Sequence, residues 1–340
     1  MAQVVCFGEL MLRLAPMGYG RIVQADTFEA TYGGGEANVA VSLANYGVDA
    51  AFVSKFPENL VGDAARNSLR KYGVDVSHIA RGGERLGIYY CEKGASMRPS
   101  CVIYDRAHSA IAEATREDFD WDAIFDGAEW FHFTGITPAL GDNVAEICKE
   151  ACQKAKEHGL TVSCDLNFRK KLWTSEKAGK VMGELMQYVD VLVANEEDAE
   201  KVFGISAPET DIVSGKISEE GYKAVAKELC QRFGIKKVAI TLRESISASD
   251  NGWSALYWDG KDFLRSKRYD VRIVDRVGGG DSFGGGLIYA SPNHMDSRQT
   301  IEFAVAASAL KHTIEGDFNM VSVKEVETLM GGDGSGRVQR

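Results

Sequence analysis

Six apolar runs rich in β-branched and aromatic residues recur along the chain, and helix-patterned segments fill the intervals between them. The runs are QVVCFGE (3–9), AAFVSKF (50–56), EWFHFTGI (129–136), LTVSCDLN (160–167), VDVLVANEE (189–197) and KKVAITL (236–242). In the interval GDNVAEICKEACQKAKEHG, residues Val144, Ile147, Cys148, Ala151, Cys152 and Ala155 repeat at helical spacing. Strands that alternate with helices need crossover connections, which produce a mostly parallel sheet with helices on both faces. The predicted body is a three-layer α/β/α sandwich.

Two segments break this rhythm. Residues 10–34 and 84–106 carry turn-rich hairpin patterns with no helix between their strands. Paired with each other they would make a small β lid over a cleft; an extra edge on the main sheet is the alternative. The predicted organisation is one compact unit. Residues 1–9, 35–83 and 107–330 form the large α/β domain, 10–34 and 84–106 the lid, and 331–340 (GGDGSGRVQR) a disordered tail.

Composition narrows the partner. The 340 residues are 45% hydrophobic, enough for a large core, and a net charge of −10 without a Lys/Arg cluster argues against nucleic acid. The first residues show neither a basic leader nor an apolar stretch of spanning length, so no membrane association is expected. Seven cysteines at irregular spacings, an odd number with no zinc-knuckle pair, predict a reduced, cytoplasmic compartment. The expected partner is a small molecule.

Several predicted strands end on polar residues: Asp165, Asn167 and Arg169 after the fourth, Asn195, Glu196 and Asp198 after the fifth, Thr241 and Arg243 after the sixth. Open α/β sheets bind ligands outside the carboxyl ends of their strands, so three such ends in succession suggest a shared cleft, with ordinary loop polarity as the bland reading. The stretch VDRVGGGDSFGGGLIYA (274–290) sets six glycines around Asp281 before an apolar helix start. Bare backbone permits close approach to a ligand, and the free N–H groups of a first helical turn bind anions, so Gly278, Gly279 and Gly280 read as a phosphate cradle. A carboxylate repels phosphate unless it faces the other reactant; Asp281 then takes the proton of an attacking hydroxyl while the glycine amides stabilise the transferring group. The second cluster, Gly284 to Gly286, is explained equally well by close helix packing. A Walker A loop is excluded by the missing Lys-Ser/Thr pair. A dinucleotide fold is disfavoured because the glycines do not follow the first strand.

The motifs YGGGEANVAVSLANYG (32–47) and DRVGGGDSFGGG (275–286), about 240 residues apart, resemble the two signatures of the ribokinase-like (PfkB) carbohydrate kinases, and the order of strands and lid segments is similar along nearly the whole chain. Within that family VIYDR (102–106), DLNFR (165–169) and KHTIEGDFN (311–319) resemble the kinases of the sugar acid 2-keto-3-deoxygluconate. The resemblance implies a ribokinase-like fold and ATP-dependent phosphorylation of that acid to its 6-phosphate, with Asp281 as catalytic base and the amides of Gly278 to Asp281 as anion hole. It implies sugar contacts from Gly34, Gly35 and Asn38, with helix capping as the alternative role of Asn38. Lid residues Tyr89, Tyr104 and Arg106 would close over the substrate, Asp317 would reach a substrate hydroxyl, and Arg169 would meet either the substrate or the nucleotide phosphates. A guanidinium suits a carboxylate, which it grips through two parallel bonds, and the sequence leaves both Arg106 and Arg169 open for that role. ATP would lie along Asn167, Asn195, Thr241, Arg243, Gly278 and Gly280.

Departures from the family pattern carry expectations of their own. The family's Asn-x-x-Glu magnesium motif is NEED here, so Mg²⁺ would be held through water by Asn195 and the shorter Asp198, with Glu196 or Glu197 sharing the role. Arg276 stands where a small residue or threonine is usual. Arg243 replaces a glycine and is either a phosphate contact or a surface salt-bridge partner. Some members bind a monovalent cation, so the resemblance admits one as a further cofactor here, although its site cannot be located in the sequence. A homo-oligomer built on exposed lid edges is a further expectation. A neutral-sugar kinase of the same family and a non-catalytic sugar-acid sensor are the alternative functions.

Overall fold

The computed structural model describes residues 3–195, 197–206, 219–291, 293 and 295–336. Among them, ten strands form one sheet in the order Phe263–Arg265, Asp250–Trp258, Lys237–Ser245, Val191–Asn195, Thr161–Asp165, Trp130–Thr134, Val4–Phe7, Ala50–Phe56 and Ile79–Arg81, with Tyr269–Arg272 also paired to 250–258. The seven strands from 237–245 through 79–81 are mutually parallel, and the three at the far edge are joined by antiparallel pairings through 250–258.

All four residues of Val4–Phe7 are buried, which explains why this interior strand reads as an unbroken apolar run. Alternate side chains enter different cores. Val4, Cys6 and Phe52 pack on the face covered by helices Gly35–Asn45, Gly279–Ala290 and Ser297–Lys311. Val5, Phe7 and Val53 pack on the face covered by Asp142–Glu157 and Ser175–Leu185. Each fully buried side chain of this size contributes roughly 1.5–3 kcal/mol, so two cores of this extent hold the sheet rigid beneath its loops. The parallel register sets Thr134 beside Asp165 and Asn195 beside Thr241, so the polar strand ends form one rim.

A separate four-stranded sheet follows the order Phe28–Gly33, Met11–Pro16, Ile88–Glu92, Cys101–Asp105. Its outer pairs are antiparallel and its central pair parallel. That register sets Arg13 beside Tyr89 and Tyr89 beside Tyr104, giving a row across the sheet that faces the rim.

The antiparallel edge was absent from the sequence-based expectation. Asp250–Trp258 has buried residues at all seven interior positions, including Asn251, Gly252 and Ser254, so neither alternation nor an apolar run marks it. At the C-terminus, helix Val323–Met330 is followed by turns through Gly336, and the remainder of the predicted tail lies outside the described residues, as does Glu196.

Candidate functional site

The strand-end rim, the row of lid residues and the glycine turn enclose a cleft of about 350 Å³. All the site residues expected from sequence border it: Gly34, Gly35 and Asn38 from the first signature; Tyr89, Tyr104 and Arg106 from the lid; Asn167, Arg169, Asn195, Asp198, Thr241 and Arg243 from the strand ends; Gly278 to Asp281; and Asp317.

Helix Gly279–Ala290 starts at the cleft because Gly278, its N-cap, takes a left-handed φ of 84°. A Cβ at Gly278 would meet the Asp317 carbonyl at 2.0 Å, and one at Gly279 would meet the His312 ring at 2.4 Å. Gly280 has no heavy atom within 4 Å of such a Cβ, so its backbone faces open space. The first two glycines seat the turn, and at the third no side chain intrudes on the space beside the helix start. In the second cluster, a Cβ on Gly285 would meet Ser42 at 2.9 Å and one on Gly286 would meet Ala304 at 2.8 Å. That cluster lets the helix pack against 35–45 and 297–311.

Asp281 is in the first turn of this helix, half-buried at the cleft floor. Asn38 Nδ2 donates to Asp281 Oδ2 at 2.6 Å, while Asn38 Oδ1 accepts from Gly34 N at 3.3 Å, so one amide both orients the carboxylate and caps its own helix. A Cβ on Gly35 would lie 3.6 Å from Asp281 Oδ1, so the missing side chain keeps the second oxygen approachable. Burial pushes the Asp281 carboxyl up to about 6; the nearby Asp317 and Glu36 add to this, and the Asn38 bond and Arg169 oppose it. Such a group is ionised at neutral pH yet basic enough to accept a proton.

The lid residues are held by partners the sequence did not reveal. Tyr89 donates to Asp317 Oδ2 at 2.6 Å, and Asp317 Oδ1 accepts Arg13 Nη1 at 2.7 Å. Arg13 also donates to Asp275 Oδ2 at 2.6 Å, which ties a lid strand to the glycine turn. Arg106 gives Nε and Nη2 to Glu9 Oε2, and Ser109 donates to Glu9 Oε1 at 2.8 Å. Arg106 therefore approaches the cleft with two of its three nitrogens occupied. Arg169 is exposed, and its guanidinium has no hydrogen-bond or ion-pair partner among the described residues. Its charge acts on Asp165, Asp198 and Asp281 alike.

At the opposite end, Asn167 holds a positive φ of 37° that turns the DLNFR loop, and its N–H donates to Asp165 Oδ1 at 3.1 Å. Arg243 stacks over the Trp253 ring at 5.4 Å, and Arg276 donates to the Ala248 carbonyl at 3.2 Å; all three border the cleft. Asn195 Oδ1 accepts from the N–H groups of Glu197 and Asp198, while Asp198 Oδ2 accepts from Asn195 N and Asp198 Oδ1 from Phe168 N. The short acid clamps two loops. Among the described residues no group of three or more His, Cys, Asp or Glu is placed to hold a metal; because the Asn195 Oδ1 and both Asp198 oxygens already accept from backbone N–H groups, they suit a cation that keeps its waters better than one bound directly. Glu197, offered as a substitute acid, pairs with Lys201.

Sequence reasoning named Asp165 at its strand end without assigning it a site role. It borders the cleft, and burial, then Asp198 and Asp281, push its carboxyl well up. Glu36 was missed: its Oε1 accepts from Thr134 N, Thr134 Oγ1 and Thr137 Oγ1 beneath the first signature. The sequence offered one signal for it, a charged residue inside an otherwise small and apolar helix.

The pattern of the pfkB family carbohydrate kinases matches residues 1–322. A 2-dehydro-3-deoxygalactonokinase of Haloferax volcanii is 34% identical over 98% of both chains. A 2-dehydro-3-deoxygluconokinase of Thermoproteus tenax is 28% identical over 97% of this chain and 94% of its own. The crystal structure of a 2-dehydro-3-deoxygluconokinase from Thermotoga maritima is 56% identical, with a TM-score of 0.94 over 98% of each chain. A glycine turn before Asp281, a first signature that orients it and a match along nearly the whole length lead to one assignment: the chain belongs to the pfkB family of carbohydrate kinases.

Proposed function

We propose that the protein transfers the γ-phosphoryl group of ATP to the terminal hydroxyl of 2-keto-3-deoxygluconate (2-dehydro-3-deoxygluconate), giving the 6-phosphate and ADP. The observation that carries this reading is the pairing, across one cleft, of Asp281 at a helix N-terminus with the guanidinium of Arg169, which has no hydrogen-bond or ion-pair partner among the described residues. A carboxylate that accepts a proton beside an anion-binding turn suits phosphoryl transfer to an alcohol. An uncommitted guanidinium suits an acidic substrate, and a neutral sugar has no use for it. The names of the relatives from Thermoproteus tenax and Thermotoga maritima support the same acid, and that from Haloferax volcanii its galactonate counterpart.

In this mechanism the acid lies between the first signature and the lid, its carboxylate on Arg169 and its terminal hydroxyl on Asp281 Oδ1. Asp281 takes the hydroxyl proton as the oxygen attacks the γ-phosphorus in line, the bond to the β-phosphate oxygen breaks, and ADP leaves. The amides from Gly278 onward and the dipole of helix 279–290 stabilise the charge on the transferring group. The strand ends, with Arg243 and Arg276, hold the nucleotide. Asn195 and Asp198 would hold Mg²⁺ through water, and the ion would supply charge neutralisation to the phosphates. The lid, with Tyr89, Tyr104 and Arg106, excludes water that would hydrolyse ATP.

Three further expectations belong here. We place the protein in the cytoplasm, which its seven free cysteines support. The lid residues 10–34 and 84–106 act as one closing element. Their edge strands Phe28–Gly33 and Cys101–Asp105, with Phe28, Ile103 and Tyr104 exposed, support pairing in a homo-oligomer.

The test is ATP consumption with Mg²⁺ against 2-keto-3-deoxygluconate, its galactonate epimer, gluconate, fructose, ribose and no acceptor. Turnover confined to the keto-deoxy acids is expected; turnover on fructose or ribose would retain Asp281 and discard the carboxylate clamp. Silence on every acceptor would favour a sensor. Arg169→Ala should raise KM for the acid about 10- to 100-fold, the loss of a charge-assisted bond, and change KM for ATP much less. A change confined to ATP would reassign Arg169 to the phosphates.

A further inference from the structure

Lys311 ends helix Ser297–Lys311 and is fully buried, directly beneath the anion-binding turn. A Cβ at Gly278 would lie 3.2 Å from Lys311 Cε. Among the described residues, the one acceptor for its ammonium is the Ile314 carbonyl at 3.2 Å. Its surroundings explain why a charge sits there. The C-terminal, electronegative end of helix 297–311 abuts the back of the turn: Ser308 Oγ donates to the Gly279 carbonyl at 2.6 Å, and the His312 carbonyl accepts from Val274 N at 2.8 Å. Two buried carboxylates, Asp275 and Asp317, act on the Lys311 charge, and Arg13, which pairs with both, compensates one charge of the two. Without a second cation this layer would repel the phosphates that the front of the turn must bind.

We propose that the Lys311 ammonium is a built-in monovalent cation of the anion hole: a positioning residue that offsets the helix end and the second carboxylate, so that phosphoryl transfer needs no alkali cation from solution. The inference rests on the kinase reading above. It also bears on the expectation of a monovalent cation, because among the described residues behind the turn the carbonyl of Ile314 accepts from Lys311 and both carboxylates pair with Arg13, so these oxygens are already engaged. Burial lowers the pKa of Lys311, and Asp275 and Asp317 oppose that shift, which is the electrostatic coupling the assignment requires.

The experiment compares full-length wild type, Lys311→Ala and Lys311→Met in Tris-ATP and MgCl₂, exchanging choline chloride for KCl, NH₄Cl or methylammonium chloride at constant ionic strength. Wild-type kcat should be the same in every salt. Both variants should lose about 10- to 100-fold in kcat in choline, less than the about 10²–10³ for a donor that touches the charge directly. Lys311→Ala, which leaves room for an ion, should regain much of its loss with K⁺ or an ammonium ion; Lys311→Met, which fills the space, should not. Rescue by a cation separates charge from a merely structural role. A wild-type rate that rises severalfold with K⁺, a variant with wild-type kcat, or a folded Lys311→Ala that no cation restores would overturn the assignment. If neither variant folds, the wild-type salt series and Lys311→Arg decide: cation dependence of the first or inactivity of a folded second overturns it. Calorimetric ADP binding by the same proteins keeps the two readings apart. A wild type that phosphorylates no acceptor refutes the kinase reading alone. Weakened ADP affinity in Lys311→Ala, restored by K⁺, then supports the built-in cation, and unaltered affinity overturns it.

Discussion

Asp281→Asn is expected to lower kcat by about 10²–10⁴-fold, the usual contribution of a positioned general base, while leaving nucleotide affinity nearly unchanged. The substitution is close to isosteric, and its carbonyl oxygen can still accept the 2.6 Å bond from Asn38, so the loss reports the missing proton acceptor rather than a displaced helix start. Removing the charge also removes a repulsion toward phosphate, so ADP should bind at least as tightly. The pH profile supplies an independent check. Because burial raises the Asp281 carboxyl to about 6, the acting form is the deprotonated one, and wild-type kcat/KM should fall about tenfold per pH unit below that value. The residual activity of Asp281→Asn should be flat over the same range. Single-turnover and steady-state assays with 2-keto-3-deoxygluconate, alongside calorimetric ADP titration, measure both. A variant that keeps kcat within about threefold of wild type, or that retains the acidic limb, would remove Asp281 from the role.

The parts of this site that were legible in sequence are the parts in which residue type and chain position are bound together. A glycine turn that opens an apolar helix announces itself locally, and so do polar residues at the ends of β-branched runs. The layer behind the site was not legible, because its meaning lies in partners far apart in sequence. Arg13 occupies a strand whose alternation leaves Leu12 and Leu14 half-buried and turns Met11, Arg13 and Ala15 inward. Hydrophobicity alone would have chosen the opposite face. Lys311 follows AASAL at a helix end, where an exposed lysine is the ordinary reading. Only the fold shows that Asp275 and Asp317, joined through Arg13, act on its charge. The strand 250–258 hid for a related reason: a strand buried on both faces beside an antiparallel edge tolerates Asn, Gly and Ser, so no period marks it.

That hidden layer makes the second large prediction one of stability. Arg13 is 1% exposed and holds Asp275 at 2.6 Å and Asp317 at 2.7 Å, with both oxygens of each carboxylate committed: Asp275 also accepts from Val277 N and Gly316 N, and Asp317 from Tyr89. Arg13→Met keeps much of the apolar stem and deletes the charge, leaving two buried carboxylates with Lys311 as the remaining nearby cation. Breaking one side of such a buried network is expected to destabilise the fold by about 3–5 kcal/mol. The sign of the pH dependence follows from the carboxylates. Burial already raises Asp317, and Arg13 is the strongest influence opposing it; without Arg13 its folded-state pKa rises further above that of the unfolded chain. The unfolded chain then ionises freely while the folded chain must retain protons or bear uncompensated charge, so the deficit grows as pH rises and shrinks in acid. Denaturant unfolding of wild type and Arg13→Met at pH 5 and pH 8 should show the larger difference at pH 8. A loss below about 1 kcal/mol at pH 8, the value of an exposed pair, would mean that water reaches the cluster and that the lid is not anchored through it.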